Sequence, residues 1–266
     1  MIHYTDKKNK MEELQIKFLQ DCLLVEDMLV IGDLHIGYDK QHNEESILPG
    51  MQLQEIIKKL DEIFLFLEQR NKKVKKIIQL GDFKHDFGKI SKIEWRETLI
   101  LLKYFIKKVG RKNVFIVRGN HDTILKPIVT RLNITLKDTF IIKKKDKQLL
   151  FTHGDVIRNK KANYSSDSFE KGDIIFLGHL HPAITLSDEY KREKFKCFLH
   201  GTWNRKNAYI LPSFGLFSFG YDLLDRKYVK ERFFIIPFSV LKNFEVIIYN
   251  SEEKKEYNFG MLKQLL

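Results

Sequence analysis

The chain has 266 residues, 43% of them apolar, and carries 47 Lys and Arg against 35 Asp and Glu, for a formal charge of +12 and a pI near 9.4. That length supports a sizeable core in one large domain or two small ones. No apolar run reaches the roughly 18–20 residues that span a bilayer, residues 1–8 lack the apolar core of a secretory leader, and Cys22 and Cys197 are too few for a disulfide framework and match no zinc spacing.

The expectation is a cytoplasmic protein with two reduced, buried thiols and no membrane partner. The basic balance attracts polyanions, although only about ten of the basic residues are Arg and a Lys-rich chain also arises from genome composition alone. No repeat, low-complexity stretch or linker divides the sequence. Residues 1–266 read as one domain, with a motif core at about 23–211 and a strand-rich part at 212–266.

In chain order, residues 23–31 are mostly Leu, Val, Met and Ile, broken by Glu26-Asp27, which predicts two strands around a turn, the second ending at Gly32. Residues 49–70 place Leu53, Ile56, Ile57, Leu60, Ile63, Phe64 and Leu67 at helical spacing, with Pro49 where a helix start tolerates it. Residues 74–80 predict a strand feeding Gly81-Asp82. A second amphipathic helix follows over 91–109, opened by a capping box of Ser91 and Glu94 and stopped by Gly110. Residues 114–117 predict the next strand. This alternation predicts an α/β sheet with parallel central strands, whose ligands gather at the C-terminal strand ends.

After Asp122 the pattern becomes strand-rich, over 135–142, 148–152, 173–177, 194–200 and 208–211, with 214–219 and 232–238 similar. The fold class expected is therefore α/β, with a second, strand-rich sheet packed on the first. The aromatic run at 214–219 is expected in the core rather than as a platform for stacking bases. Lys143-Lys144-Lys145 reads as a solvated hairpin turn, Lys72 to Lys76 as a solvated connection and Arg118 as a strand-end charge. His3, His42 and His200 fall outside the motifs and are expected to hold no metal.

Five short motifs follow apolar runs in order: Gly32-Asp33-Leu34-His35, Gly81-Asp82-Phe83-Lys84-His85, Gly119-Asn120-His121-Asp122, His153-Gly154-Asp155 and Gly178-His179-Leu180-His181. Each alone is weak. Together they supply two Asp, one Asn and four His, the oxygen and imidazole donors that divalent ions of the Mn, Fe and Zn type favour. Asp33 and His35 can point to one side of a strand end. Asp82, ending the neighbouring strand, can lie between two ions, and Asn120 offers a carbonyl oxygen. His153, His179 and His181 complete the set, with the His-x-His pair able to divide between ions. Such a pair of ions draws charge from a phosphate and lowers the pKa of a shared water. His121 is within reach of the phosphate without being needed as a ligand, and Asp122 can hold its ring. His85 is a second candidate for the leaving-group side, and Asp155 a candidate to orient a ligand imidazole.

These motifs resemble those of the calcineurin-like metallophosphoesterase superfamily over about residues 23–211. The resemblance implies a two-sheet sandwich flanked by helices and two divalent ions, Mn2+ first, with Fe, Zn, Ni and Mg as alternatives. One would be held by Asp33, His35, Asp82 and His181, the other by Asp82, Asn120, His153 and His179, with His121 as the catalytic histidine. Gly32-Asp33-Leu34-His35-Ile36-Gly37-Tyr38, the Gly-Asp-x-x-His ending in His85, Lys84-His85-Asp86-Phe87-Gly88 and Leu211-Pro212-Ser213-Phe214-Gly215 look most like the SbcD/Mre11-related archaeal phosphoesterases and the bacterial ligase-associated metallophosphoesterases. A nuclease acting on single-stranded or damaged DNA is thereby implied, together with DNA, a homodimer and DNA-repair proteins as partners. The alternatives are a phosphodiesterase or phosphatase for small molecules such as a cyclic nucleotide, and a non-catalytic scaffold of the same fold. A scaffold would be expected to have lost ligands, and none is absent here.

Overall fold

The computed structural model describes residues 13–38, 50–155, 166–225 and 234–266. His3, His42, Pro49 and residues 232–233 lie outside the described residues.

The first sheet begins as an antiparallel meander of β1 (Ile16–Leu19), β2 (Cys22–Val25) and β3 (Met28–Ile31), with Glu26-Asp27 forming the expected turn between β2 and β3. It continues in parallel through β4 (Lys76–Gln79), β5 (Val114–Val117) and β6 (Thr135–Lys137), giving six strands in sequence order. Helices α1 (Met51–Glu68), α2 (Lys92–Val109) and the short α3 (Lys126–Arg131) fill the successive crossovers. The Ser91 hydroxyl accepts from the Glu94 N–H at 3.1 Å, and the Glu94 carboxylate accepts from the Ser91 N–H at 2.9 Å, so the expected capping box forms.

Side-chain alternation divides the core. Leu24, Leu29, Ile31, Ile77 and Ile116 face the helices and meet Leu53, Ile56, Leu60, Leu101 and Phe105. Leu23, Val25, Val30, Ile78 and Val117 point the other way, onto Leu149, Phe151, Ile174 and Phe176 of a second sheet. Strands buried on both faces read as near-continuous apolar runs, as these do.

The second sheet comprises β7 (Thr139–Lys144), β8 (Lys147–Thr152), β9 (Ile174–Leu177), β12 (Phe198–Trp203), β13 (Lys206–Ile210), β15 (Glu245–Asn250) and β16 (Lys255–Met261), in the order 16-15-12-13-9-8-7. Its outer face packs Ile175, Leu199, Ile210 and Val246 against Ile236, Leu241, Phe244 and Leu262. A three-stranded sheet of β10 (Pro182–Ser187), β11 (Arg192–Lys196) and β14 (Tyr221–Asp222) lies beside it. Among the described residues, the remaining α-helices are α4 (Ser166–Lys171) and α5 (Phe238–Leu241). The expected α/β sandwich flanked by helices is therefore the observed fold. Among the described residues, no helix is long and apolar enough to cross a membrane.

Four expectations differ in detail. Residues 135–142, expected as one strand, break at Asp138: β6 pairs with β5 in the first sheet and β7 with β8 in the second. Residues 194–200 likewise divide, β11 joining the small sheet and β12 the large one. Residues 214–219 form no strand; Phe214 is buried while Phe219 is 69% exposed, so the aromatic run is only partly core. Of 232–238, Phe234 makes an isolated bridge to Asp155, and Phe238 already opens α5.

Candidate dimetal site

All five motifs leave the C-terminal ends of adjacent parallel strands: β3, β4 and β5 in one sheet, β8 and β9 in the other. Because the two sheets face each other, the strand ends converge. Two glycines permit the approach. A Cβ on Gly119 would lie 2.1 Å from both the backbone nitrogen and Oδ1 of Asp82, and one on Gly81, whose φ is 97°, would lie 2.6 Å from Nδ1 of His153. Asp82 (φ 51°), His35 (φ 47°), His179 (φ 64°) and His181 (φ 47°) all take the left-handed conformation. Each such residue costs roughly 1–3 kcal/mol, so the fold holds these side chains against local preference.

Each carboxylate uses one oxygen as an anchor. Asp82 Oδ1 accepts from the His121 N–H at 2.8 Å and Asp33 Oδ2 from the His179 N–H at 2.9 Å. The other oxygen faces the site. Asp82 Oδ2 lies 3.3 Å from His153 Nε2 and 3.8 Å from both His35 Nε2 and His121 Nε2. Asp33 Oδ1 lies 3.4 Å from both His181 Nε2 and His153 Nδ1, and it accepts no hydrogen bond. On the second side, His153 Nε2 stands 3.0 Å from Asn120 Oδ1 and 3.1 Å from His179 Nδ1. The seven expected ligands are therefore assembled in one place. His200 is not among them: it sits on β12, stacked on Tyr209, with Glu245 3.6 Å away.

Among the described residues, side-chain ligand atoms gather within 4.8 Å of one another in three groups: Asp33, His35 and His181; Asp82, His153 and His179; and His35, His85 and His121. The first two correspond to the two expected ion sites. Asp82 belongs to the second group and its Oδ2 also faces His35 of the first, so Asp82 is the carboxylate that both ions would share. An orphaned buried carboxylate oxygen and imidazole nitrogens facing one another, as His35 and His181 do at 3.4 Å, fit a divalent cation.

The electrostatics agree. Burial raises the Asp82 carboxyl, but His153, His35 and His121 hold it well below the usual carboxylate range. Burial likewise opposes ionisation of Asp33, while His181 and His153 bring it below its ordinary value. Burial disfavours charge on His153, yet Asp82 and Asp33 raise it to about 10. Burial lowers His35 to about 3, and burial with the charge of His153 does the same to His179. Without metal, His153 is the imidazolium that compensates the carboxylates, while the rings of His35 and His179 are neutral.

The residues beside the ligands depart from expectation in one respect. Asp122 does not hold the His121 ring. Its Oδ1 accepts from the Phe83 N–H at 3.0 Å and its Oδ2 from the Gly119 N–H at 2.9 Å, tying the second motif to the third. Burial and the charge of Asp82 push its carboxyl up to about 7, against the opposing donors of Gly119 and Lys84. The His121 ring is held instead by the carbonyl oxygen of His85, to which Nδ1 donates, leaving Nε2 facing Asp82. His85 places Nδ1 3.4 Å from Nδ1 of His35. Asp155 is buried and bridges to Phe234, while His153 is oriented by the carbonyl oxygen of Leu80 at 2.8 Å.

Several supporting residues carried no sequence signal. Gln52 on α1 donates to the carbonyls of Leu34 and His35 and accepts from the Gly37 N–H. Ser218 Oγ lies 3.2 Å from Nδ1 of His181. Behind Asp33, whose carbonyl accepts from Phe214 and Gly215, Lys196 donates to the carbonyls of Ser213 and Gly215. Lys59 bridges Asp21 and the Phe214 carbonyl. Arg118 pairs with Asp138 at 3.3 Å, the ordinary strand-end role expected of it. Lys143 to Lys145 flank the β7–β8 turn, but Lys144 and Lys145 pair with Asp27 and Glu26 rather than standing free.

Two facing sheets with His and Asp groups at their converged strand ends define a metallophosphoesterase. The family model for calcineurin-like phosphoesterases matches residues 27–226, and the chain belongs to that family of divalent-metal hydrolases. Among solved structures, the chain is similar to nuclease MPE of Pseudomonas putida, with a TM-score of 0.56 and 18% identity over 88% of this chain and 92% of that one. A novel archaeal phosphodiesterase matches at 16% identity and a TM-score of 0.39, over 87% of this chain and 98% of that one. Protein AQ665 of Aquifex aeolicus, of unknown function, matches at 22% identity and a TM-score of 0.36, over 61% of this chain and 81% of that one. The first of these likenesses shows the fold. A comparison with curated proteins gives no match.

Proposed function

We propose that the chain is a Mn2+-dependent phosphodiesterase that cleaves DNA, single-stranded or damaged, in the cytoplasm. The observation that carries this reading is Asp82 Oδ2, placed between two His and Asp groups with His121 and His85 on one flank. In this reading Asp33, His35, Asp82 and His181 hold one ion, and Asp82, Asn120, His153 and His179 hold the other. When bound, the ions polarise the phosphate and acidify water. The chain's own part is positional and protonic. Nδ1 of His121 is committed to the His85 carbonyl, so Nε2 is the atom free to give a proton to the leaving oxygen. His85 stands on the same flank and contacts the departing strand. The net charge of +12 and the nuclease fold relative favour a polyanionic substrate over a small one.

The test is cleavage of labelled single-stranded DNA and of a cyclic nucleotide with Mn2+ across a salt series, beside His121→Asn. The reading expects DNA cleavage whose affinity falls steeply with salt, and a kcat lowered roughly 10²–10⁴-fold in the variant with metal binding retained. Turnover of the small ester alone, insensitive to salt, would move the assignment to a small-molecule phosphodiesterase.

A further inference from the structure

The rings of His121, His35 and His181 form a row, with centroids 4.9 Å and 5.0 Å apart. Exposed aromatics continue that row at both ends. Phe87 lies over His121 with centroids 3.6 Å apart, yet it is 58% exposed. At the other end Tyr221 stacks on His181 at 6.0 Å and 19°, and it is itself 46% exposed, as is neighbouring Phe219 at 69%.

The backbone is held at both ends. The carbonyl of Phe87 accepts from the Thr123 hydroxyl, and the buried Lys84 ammonium ties the same loop through the carbonyls of Asp86 and Lys89. Opposite, Ser218 Oγ meets His181 at 3.2 Å, its carbonyl accepts from Ser213 at 2.7 Å, and the Tyr221 N–H donates to the His181 carbonyl at 2.8 Å. The exposed Lys194 places its ammonium 3.5 Å from the carbonyl of Gly220, the residue between Phe219 and Tyr221. Exposed aromatic residues on held backbone next to a cation, bordering a site for a phosphodiester, are the elements that bind unpaired nucleotides: bases stack on the rings and the backbone meets the charge. A duplex cannot use them, because its stacked bases present only their edges in the grooves.

Resting on the nuclease reading, we propose that Phe87 and Phe219 are specificity residues. Phe87 stacks a nucleobase on the His121 side of the scissile phosphate, Phe219 stacks one on the His181 side, and together they select single-stranded nucleic acid. Tyr221 supports the second position, and Lys194 contacts the phosphate beyond it.

The test compares two labelled oligonucleotides, each with one cleavable phosphodiester. In the first that bond is flanked by thymidines. In its twin the two thymidines are replaced by abasic tetrahydrofuran units. The ratio of kcat/KM for the two is measured with Mn2+ for the wild type, Phe87→Leu and Phe219→Leu. Leucine retains an apolar side chain of similar size and removes the ring face, and both positions are exposed, so folding is preserved. The wild type is expected to favour the base-bearing strand by at least about tenfold, and each variant to lose most of that preference. Cleavage of both strands with equal preference in all three proteins would overturn the stacking role and leave the nuclease reading standing. A wild type that cleaves neither strand, while hydrolysing bis-p-nitrophenyl phosphate, would overturn the nuclease reading and this inference with it.

Discussion

Gln52, in the first turn of α1, donates its side-chain amide to the carbonyl oxygen of His35 at 2.9 Å. The same side chain accepts from the Gly37 N–H at 3.0 Å, so one buried amide fixes the loop that carries Asp33 and His35. Helix α1 thereby sets the geometry of the loop that carries these two residues.

Replacing Gln52 by Leu keeps the volume but removes the partner of the Gly37 N–H and of the Leu34 carbonyl, and leaves the His35 carbonyl with the Tyr38 N–H. The expected loss is about 1–3 kcal/mol of stability, together with a roughly 10–100-fold weaker affinity for Mn2+, as for other residues that orient ligands. Urea unfolding and Mn2+ titration of the variant check both. Unchanged metal affinity would show that the loop holds its shape without α1.

Gly119 is required by contact. Gly119→Ala drives a methyl into the backbone and carboxylate of Asp82, and the backbone atom cannot move aside. The variant should lose ~1–3 kcal/mol or more, and its Mn2+-dependent hydrolysis should fall sharply. Gly88→Ala is the control, because nothing lies within 4 Å of its added carbon. Equal melting temperatures and rates for the two variants would contradict this account of the turn.

Metal binding should release a proton. His153 is raised from its ordinary 6.5 to about 10 without metal, chiefly by Asp82 and Asp33 working against burial. A raised histidine contributes stability that is fully present below about pH 6.5 and is lost as pH climbs through about 10. If His153 holds an ion it would have to give up that proton, so Mn2+ affinity should climb with pH across the same window. Asp82 and Asp33 behave oppositely. Their lowered values contribute stability above about pH 4 that is lost on acidification. Calorimetric titration with Mn2+ at pH 7.5, in buffers of differing ionisation enthalpy, should report about one proton released per chain through His153. No proton release would contradict the assignment of His153 as the imidazolium.

Much of this site is legible in the sequence because its ligands follow strands directly. Asp33, Asp82, Asn120, His153 and His179 each stand within three residues of a strand end, and adjacent parallel strands bring them together. What the sequence hides depends on residues that meet only across the fold. Gln52 reads as one polar position of an amphipathic helix. Lys59, Asp21 and Lys196 read as surface charges until the turn, the helix and the small sheet bring them behind Phe214. The breaks at Asp138 and Cys197 are invisible to a period-two pattern, since alternation continues while the chain changes sheets. Asp122 was expected beside the His121 ring by proximity in sequence, but its carboxylate is drawn to the backbone N–H groups of Phe83 and Gly119.

The most direct measurement is the number of Mn2+ ions bound per chain, by equilibrium dialysis, for the wild type and Asp82→Asn, with cleavage of single-stranded DNA assayed on the same preparations. A carboxylate shared by both ions predicts two ions per wild-type chain. In the variant it predicts that both are weakened and cleavage is lost. One ion per wild-type chain, or an Asp82→Asn variant that cleaves at the wild-type rate, would contradict a dimetal centre organised on Asp82.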